Sequence, residues 1–186
     1  DSQGDTILIR DGASIGDQIA VTGSLGCSAG GLDMLTRDLH FDDETSVHLK
    51  SAHTHPSPRI EQGITLAKNG VSAAIDVSDG LVSDLERMCI ASGVGAVVFA
   101  DKVPIDGFLL EAYPKEAMGL ALGGGEDYEL LFTAPRNLMD QVVFELDVPV
   151  SIIGEIVDNS SNVKVQDNEG RVLDVKKVGW DHFGGM

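Results

Sequence analysis

The sequence predicts an α+β fold, and three observations lead there. Its 186 residues are 42% hydrophobic and 23% charged, the balance of one packed domain of ordinary size rather than a disordered chain. Residues 71–100 carry a strand–helix–strand pattern. Elsewhere strands and helices mix without the strict alternation of a doubly wound sheet.

Residues 1–6 are polar and read as a linker or a cut edge, leaving 7–186 as the domain. Ile7-Leu8-Ile9 is a short apolar run. Gly16-Asp17 turns into a strand at Gln18-Ile19-Ala20-Val21. Thr22-Gly23-Ser24-Leu25-Gly26 opens a helix with a stripe of Leu32, Leu35 and Leu39. The segment from Phe41 to His55 is polar and weakly periodic, and Pro56 and Pro58 close it. Arg59 to Asn69 has helical spacing, with Ile60, Ile64 and Ala67 on one side and a stop at Asn69-Gly70.

The pattern then sharpens. Val71 to Ile75 is a strand, Asp76-Val77-Ser78-Asp79 an acidic turn, and Gly80 to Ser92 a helix. Leu81, Leu85, Met88 and Cys89 fall at i, i+4, i+7 and i+8 and predict a core face, with Ser83, Glu86 and Arg87 toward water. Gly95 to Ala100 is the next strand. Tyr128 to Thr133 is a strand directly after Gly123-Gly124-Gly125. Pro135 starts a helix reaching about Leu146. Strands follow at 148–157 and 163–166, then a turn at Asn168-Glu169-Gly170.

Asp and Glu number 30 against 13 Lys and Arg, a formal charge of −17. Such a surface repels phosphate backbones and anionic lipid, which argues against nucleic-acid or membrane partners but permits nucleotides accompanied by divalent cations. No apolar run approaches the roughly 18 residues of a membrane span, and no basic, then apolar leader pattern opens the chain; the expected location is the cytoplasm. Cys27 and Cys89 lack metal or redox spacing and are expected to be reduced, buried thiols.

Two segments carry candidate chemistry. Two carboxylates three residues apart, Asp76 and Asp79, sit where a strand hands over to a helix; they can share a hard cation, with the Ser78 hydroxyl toward a phosphate. The competing and commoner role is a helix cap by Ser78 or Asp79. The glycines 123–125 permit close approach to a ligand, and Glu126 and Asp127 can hold an ammonium, an amine or a metal; a flexible turn before an edge strand is the alternative. Thr22-Gly23-Ser24-Leu25-Gly26 lacks the Lys-Ser/Thr of a phosphate loop, so close helix packing explains its small residues better. His53-Thr54-His55 has no second pair at zinc spacing and reads as a surface loop. Trp180, the single tryptophan, is either a packing anchor or a stacking face.

Taken together, Ala74-Ile75-Asp76-Val77-Ser78-Asp79-Gly80-Leu81, then Gly124-Gly125-Glu126-Asp127-Tyr128-Glu129-Leu130-Leu131-Phe132-Thr133, then Trp180-Asp181-His182-Phe183, resemble the thiamine-monophosphate kinases of the AIR-synthase-like superfamily. Arg10-Asp11-Gly12-Ala13, Gly16-Asp17, Val21-Thr22-Gly23 and Pro56-Ser57-Pro58-Arg59 fall in the family's order around them. The resemblance spans nearly the whole chain but only the C-terminal part of the family's polypeptide. It implies an AIR-synthase-like C-terminal domain, a mixed sheet with packed helices. The family's N-terminal half carries further magnesium aspartates, a Gly-Asp-Thr motif and most of a homodimer interface. Gly4-Asp5-Thr6 lies too close to Arg10 to be that motif.

Residue by residue, the resemblance implies Asp76 and Asp79 as Mg2+ ligands, Ser78 and Arg10 as ATP contacts, and Glu126 and Trp180 as contacts to thiamine monophosphate; it implies no dedicated catalytic base. A carboxylate and an aromatic face suit a cationic thiazolium. The implied reaction moves the γ-phosphoryl of ATP onto thiamine monophosphate, and the domain is expected to be inactive without its N-terminal half. Two rival readings remain: another AIR-synthase-like ATP-dependent enzyme, or a non-catalytic module that binds thiamine phosphate.

Overall fold

A computed structural model describes residues 7–71, 73–158 and 162–174. β1 (Gln18–Thr22), β2 (Ala73–Asp76), β3 (Gly95–Phe99), β4 (Leu130–Ala134), β5 (Val150–Val157), β6 (Val163–Gln166) and β7 (Val172–Leu173) form one sheet in the order β2-β4-β1-β5-β3-β6-β7. All its pairings are antiparallel except β3 with β6. Seven α-helices accompany it among the described residues: α1 (Cys27–Thr36), α2 (Asp43–Thr54), α3 (Ile60–Lys68), α4 (Leu81–Ser92), α5 (Gly107–Ala112), α6 (Ala117–Gly123) and α7 (Arg136–Glu145). The mixed sheet with packed helices is the α+β architecture the sequence predicts.

The period of two in the strands sorts side chains to two faces. Ile19 and Val21 of β1, Ala73 of β2 and Leu131 of β4 share a core with Leu81, Leu85, Met88 and Cys89 of α4. Their neighbours Ala20, Ala74 and Phe132 meet Leu66 of α3 and Met139 and Val142 of α7 on the other face. A third cluster, with Met34, Leu49, Leu109 and Leu120, joins α1, α2, α5 and α6. Each fully buried Leu or Phe contributes about 1.5–3 kcal/mol relative to exposure, so the predicted core face of α4 is a main fastening of the helices to the sheet.

Several expectations are corrected. The leucine stripe of α1 is not its buried face: Leu35 is exposed, while Cys27, Ser28, Ala29, Gly30, Gly31, Asp33 and Met34 are buried. Small residues let α1 and α2 pack backbone to backbone, and a Cβ on Gly31 would overlap the Leu49 carbonyl. The polar segment 41–55 contains a helix, Asp43–Thr54, that packs there. α2 buries little beyond Thr45 and Leu49, so its sequence is nearly polar throughout, and it starts at Asp42, whose carboxylate caps the Thr45 N–H. His53 consequently lies in the last turn of a helix. In α3, Ile60 and Ile64 face solvent while Gln62, Leu66 and Ala67 are buried.

Strands β2 and β3 do not form a self-contained unit with α4, because β4, β1 and β5 lie between them. Nor does the glycine run precede an edge strand, since β4 sits between β2 and β1. Cys27 and Cys89 are buried free thiols, as expected. No helix among the described residues is long and apolar enough to cross a membrane.

The α1–α2 contact yields a test. Gly31→Ala should cost about 1–3 kcal/mol by forcing the helices apart. Gly107→Ala, where an added methyl meets nothing within 4 Å, should be neutral or stabilising by up to about 1 kcal/mol. Urea unfolding of both variants measures the contrast, and equal midpoints would refute the packing account.

Candidate active site

The acidic turn hangs between β2 and α4, laced to the strand opposite. The Val77 N–H donates to the Glu129 carbonyl (2.8 Å), the Tyr128 N–H to the Val77 carbonyl (2.9 Å) and the Glu126 N–H to the Ser78 carbonyl (3.0 Å). Such a close pair of loops leaves no room for side chains at the crossing. A Cβ on Gly125 would overlap the Ser78 carbonyl, and one on Gly80 would lie 2.8 Å from the Gly123 carbonyl oxygen. Gly124 and Gly125 therefore serve close approach to the protein's own backbone, while Gly123 and Gly125 also border a hollow.

Neither Ser78 nor Asp79 caps α4. The cap position is Gly80, with φ +109° and no side-chain bond. Asp84, fully buried in the first turns of α4, does the work instead. Its Oδ2 accepts from the N–H groups of Ser78 and Asp79 (both 2.9 Å), and its Oδ1 accepts from Arg87 at 2.7 Å. The sequence reading missed Asp84, since a carboxylate among the core positions of a helix carries no motif of its own. Arg87 also reaches Asp79 at 2.5 Å, so this half-exposed arginine joins the turn rather than merely facing water.

In the loop before β4 the four residues after the glycines have different tasks. Glu129 is buried and accepts from Thr22 Oγ1 (2.6 Å) and, through both oxygens, from Arg59 (2.7 and 2.6 Å). A Cβ on Gly23 would overlap its carboxylate. The Val21-Thr22-Gly23 and Pro58-Arg59 segments thus exist around one carboxylate. Asp127 accepts from Gly26 N–H (2.7 Å) and Ser28 N–H (3.1 Å), capping α1 from a distance. Glu126 is exposed and accepts from the Tyr128 hydroxyl at 2.9 Å. Both of these residues hold left-handed backbone, φ +67° and +53°, a conformation that costs a non-glycine residue about 1–2 kcal/mol.

Two hollows meet at Ser78. A cleft of about 440 Å³ is lined by Leu8, Arg10, Ala74, Ile75, Asp76, Ser78, Asp84 and Arg87. Beyond the turn, a hollow of about 200 Å³ is lined by Ser28, Ala29, Leu32, His53, Ser78, Asp79, Gly123, Gly125 and Glu126. Five of the six candidate residues therefore share one continuous region; Trp180 lies outside the described residues. His53, a second residue that sequence reasoning dismissed, stands in the smaller hollow with Nδ1 3.1 Å from Ser28 Oγ. Asp76 and Asp79 are exposed oxygen donors, whereas both oxygens of Asp84 are already engaged. Carboxylate oxygens suit a hard divalent cation by donor chemistry; Asp76 stands on the larger cleft, and Asp79, paired with Arg87, on the smaller hollow.

Residues 14–166 match the family model of the AIR synthase related protein, C-terminal domain. Thiamine-monophosphate kinase of Salmonella typhimurium is 42% identical over 182 residues, covering 95% of this chain and 55% of that protein. The crystal structure of thiamine-monophosphate kinase from Stenotrophomonas maltophilia K279a superposes with a TM-score of 0.79 at 35% identity, over 93% of this chain and 56% of that one. AaThiL complexed with AMPPCP and TMP superposes with a TM-score of 0.78 at 33% identity, over 95% and 54%. The chain spans about half the length of the curated relatives it matches.

Two outcomes follow from the geometry. Asp84→Ala strands two N–H groups and Arg87, and should cost about 2–4 kcal/mol in urea unfolding, with Asp84→Asn costing less. Burial lifts Asp127 to about 6, outweighing the N–H bonds from Gly26 and Ser28 that lower it. The folded chain thus holds this proton more tightly than the unfolded chain. The resulting stabilisation is full below about pH 4 and is lost as pH rises through about 6. The stability of the wild type relative to Asp127→Asn should fall across that window; a constant difference would contradict it.

Proposed function

The chain belongs to the AIR synthase related protein, C-terminal domain family, and on that premise we propose that it carries the C-terminal share of a thiamine-monophosphate kinase site in the cytoplasm. The observation that supports this most is the meeting of Arg10, Asp76 and Ser78 on one cleft with Ser78, Asp79 and Glu126 on the adjoining hollow. The names of the relatives at 35–42% identity support the same reading.

In this reading the larger cleft receives the phosphates of ATP. Arg10 and Arg87 supply positive charge, and the Ser78 hydroxyl supplies a hydrogen bond. Asp76 and Asp79 would hold Mg2+, which when bound neutralises charge on the transferring phosphoryl group. Asp84 keeps the turn in place, with Asp76 on the cleft and Asp79 on the adjoining hollow. Asp79 already pairs with Arg87, so a metal competes with that arginine for the carboxylate. In the smaller hollow Glu126 faces the cationic thiamine, and Ser28 and His53 offer hydrogen bonds to its polar groups. Trp180 is proposed as the aromatic partner of the same substrate. No side chain in the region is assigned as a general base, since phosphoryl transfer rests on positioning and charge neutralisation.

The family's remaining magnesium aspartates belong to an N-terminal half, together with the interface of a proposed homodimer. The 186-residue chain alone is therefore expected to show no useful turnover of ATP, Mg2+ and thiamine monophosphate, with turnover appearing on addition of a separately supplied N-terminal half. In that combination Asp76→Asn or Asp79→Asn should lower kcat by about 100-fold or more while shifting Tm little. Turnover by the chain alone would overturn the divided site, and full magnesium-dependent activity in both variants would overturn the metal assignment.

A further inference from the structure

We propose that Cys27, His48 and Asp106 form a binding site for a zinc-class divalent cation, using none of the residues that line the two hollows. Cys27 opens α1, His48 lies in the middle of α2, and Asp106 immediately precedes α5. One donor atom from each, a sulfur, a ring nitrogen and a carboxylate oxygen, lies within 4.8 Å of the other two. Three elements distant in sequence thus bring one ligand atom each into a single cluster.

The fold holds each ligand in place. Leu25 and Ile105 form a parallel bridge, with the Leu25 N–H on the Pro104 carbonyl at 2.9 Å, which sets Cys27 beside Asp106. One oxygen of Asp106 is taken by the Phe108 N–H at 2.8 Å, leaving Oδ2 toward His48 Nε2 at 3.4 Å. The His48 ring lies against Phe108, with centroids 4.5 Å apart. These contacts fix a carboxylate and an imidazole as supporting contacts do in metal centres. Asp127, bonded to the N–H groups on either side of Cys27, adds negative charge behind the thiol. A mixed sulfur, nitrogen and oxygen set selects zinc over magnesium, which prefers oxygen alone. Three protein ligands leave the fourth position to water, and the partial exposure of His48 and Asp106 gives the ion an entrance. As the sulfur–metal bond forms, the thiol proton leaves to solvent.

The test is a Co2+ titration of the untagged, freshly reduced chain under anaerobic conditions. One equivalent should produce a thiolate-to-cobalt charge-transfer band and intense tetrahedral d–d bands. Zn2+ should erase them, an excess of Mg2+ should not, and Zn2+ should raise Tm. Cys27→Ser should lose the charge-transfer band, Cys89→Ser should keep it, and Asp106→Asn, which preserves the helix cap, should weaken Co2+ binding at least about tenfold. Should Cys27→Ser fail to fold by circular dichroism, His48→Ala carries the same expectation of lost tetrahedral bands. A folded wild type without the charge-transfer band, or a band that survives in folded Cys27→Ser, overturns the proposal.

Discussion

The backbone clasp between residues 77–79 and 125–129 is the constraint on which the rest of the candidate site depends. Three main-chain hydrogen bonds carry it, and glycines on both sides allow it. Because the clasp is made of main chain, it fixes where Asp76, Ser78 and Glu126 emerge without using their side chains. The side chains that secure it lie one step behind: Asp84 under one loop, and Glu129 with Arg59 and Thr22 under the other. Buried charges of this kind add little net stability over apolar packing, yet they are costly to break singly. Their value here is positional. They decide which way the exposed carboxylates face.

Much of this was legible in the sequence, and what was not has a physical reason. The α4 face, the strands on either side of it and the order of the short motifs follow from hydrophobic period and turn chemistry. Helix α1 misled because it packs by small residues, which hydrophobic spacing does not weigh, while Leu35 is exposed and Leu32 only half-buried. Helix α2 was invisible because it covers another helix with two buried residues and keeps a polar surface. Helices α5 and α6 gave no pattern strong enough to read, being one to two turns long. Within the site, the exposed Asp76, Asp79, Glu126 and Arg10 and the half-buried Ser78 announced themselves as motif residues. Asp84 and His53 did not, because their roles arise only from contacts that folding creates.

Net charge and local charge tell different stories in this molecule. At −17 the chain as a whole repels anions. Around the larger cleft, however, Arg10 and Arg87 stand beside the carboxylates, with Arg87 bridging Asp79 and Asp84. Over distances shorter than a Debye length of roughly 8–10 Å, such neighbours outweigh the remote surface. An acidic protein can therefore present a site that accepts both a cation and a phosphate, provided the two signs of charge are interleaved rather than averaged.

The left-handed backbone at Glu126 and Tyr128 has a consequence for anyone engineering this chain. Glycine or asparagine at either position would relieve conformational cost, so a screen that rewards heat resistance alone should drift toward them. At 126 that drift would erase one of the two carboxylates, with Asp79, exposed over the smaller hollow, and the anchor of the Tyr128 hydroxyl. Hardening the scaffold and keeping the proposed substrate contact are opposed at Glu126. A stabilised variant should be sought elsewhere, with that residue held fixed.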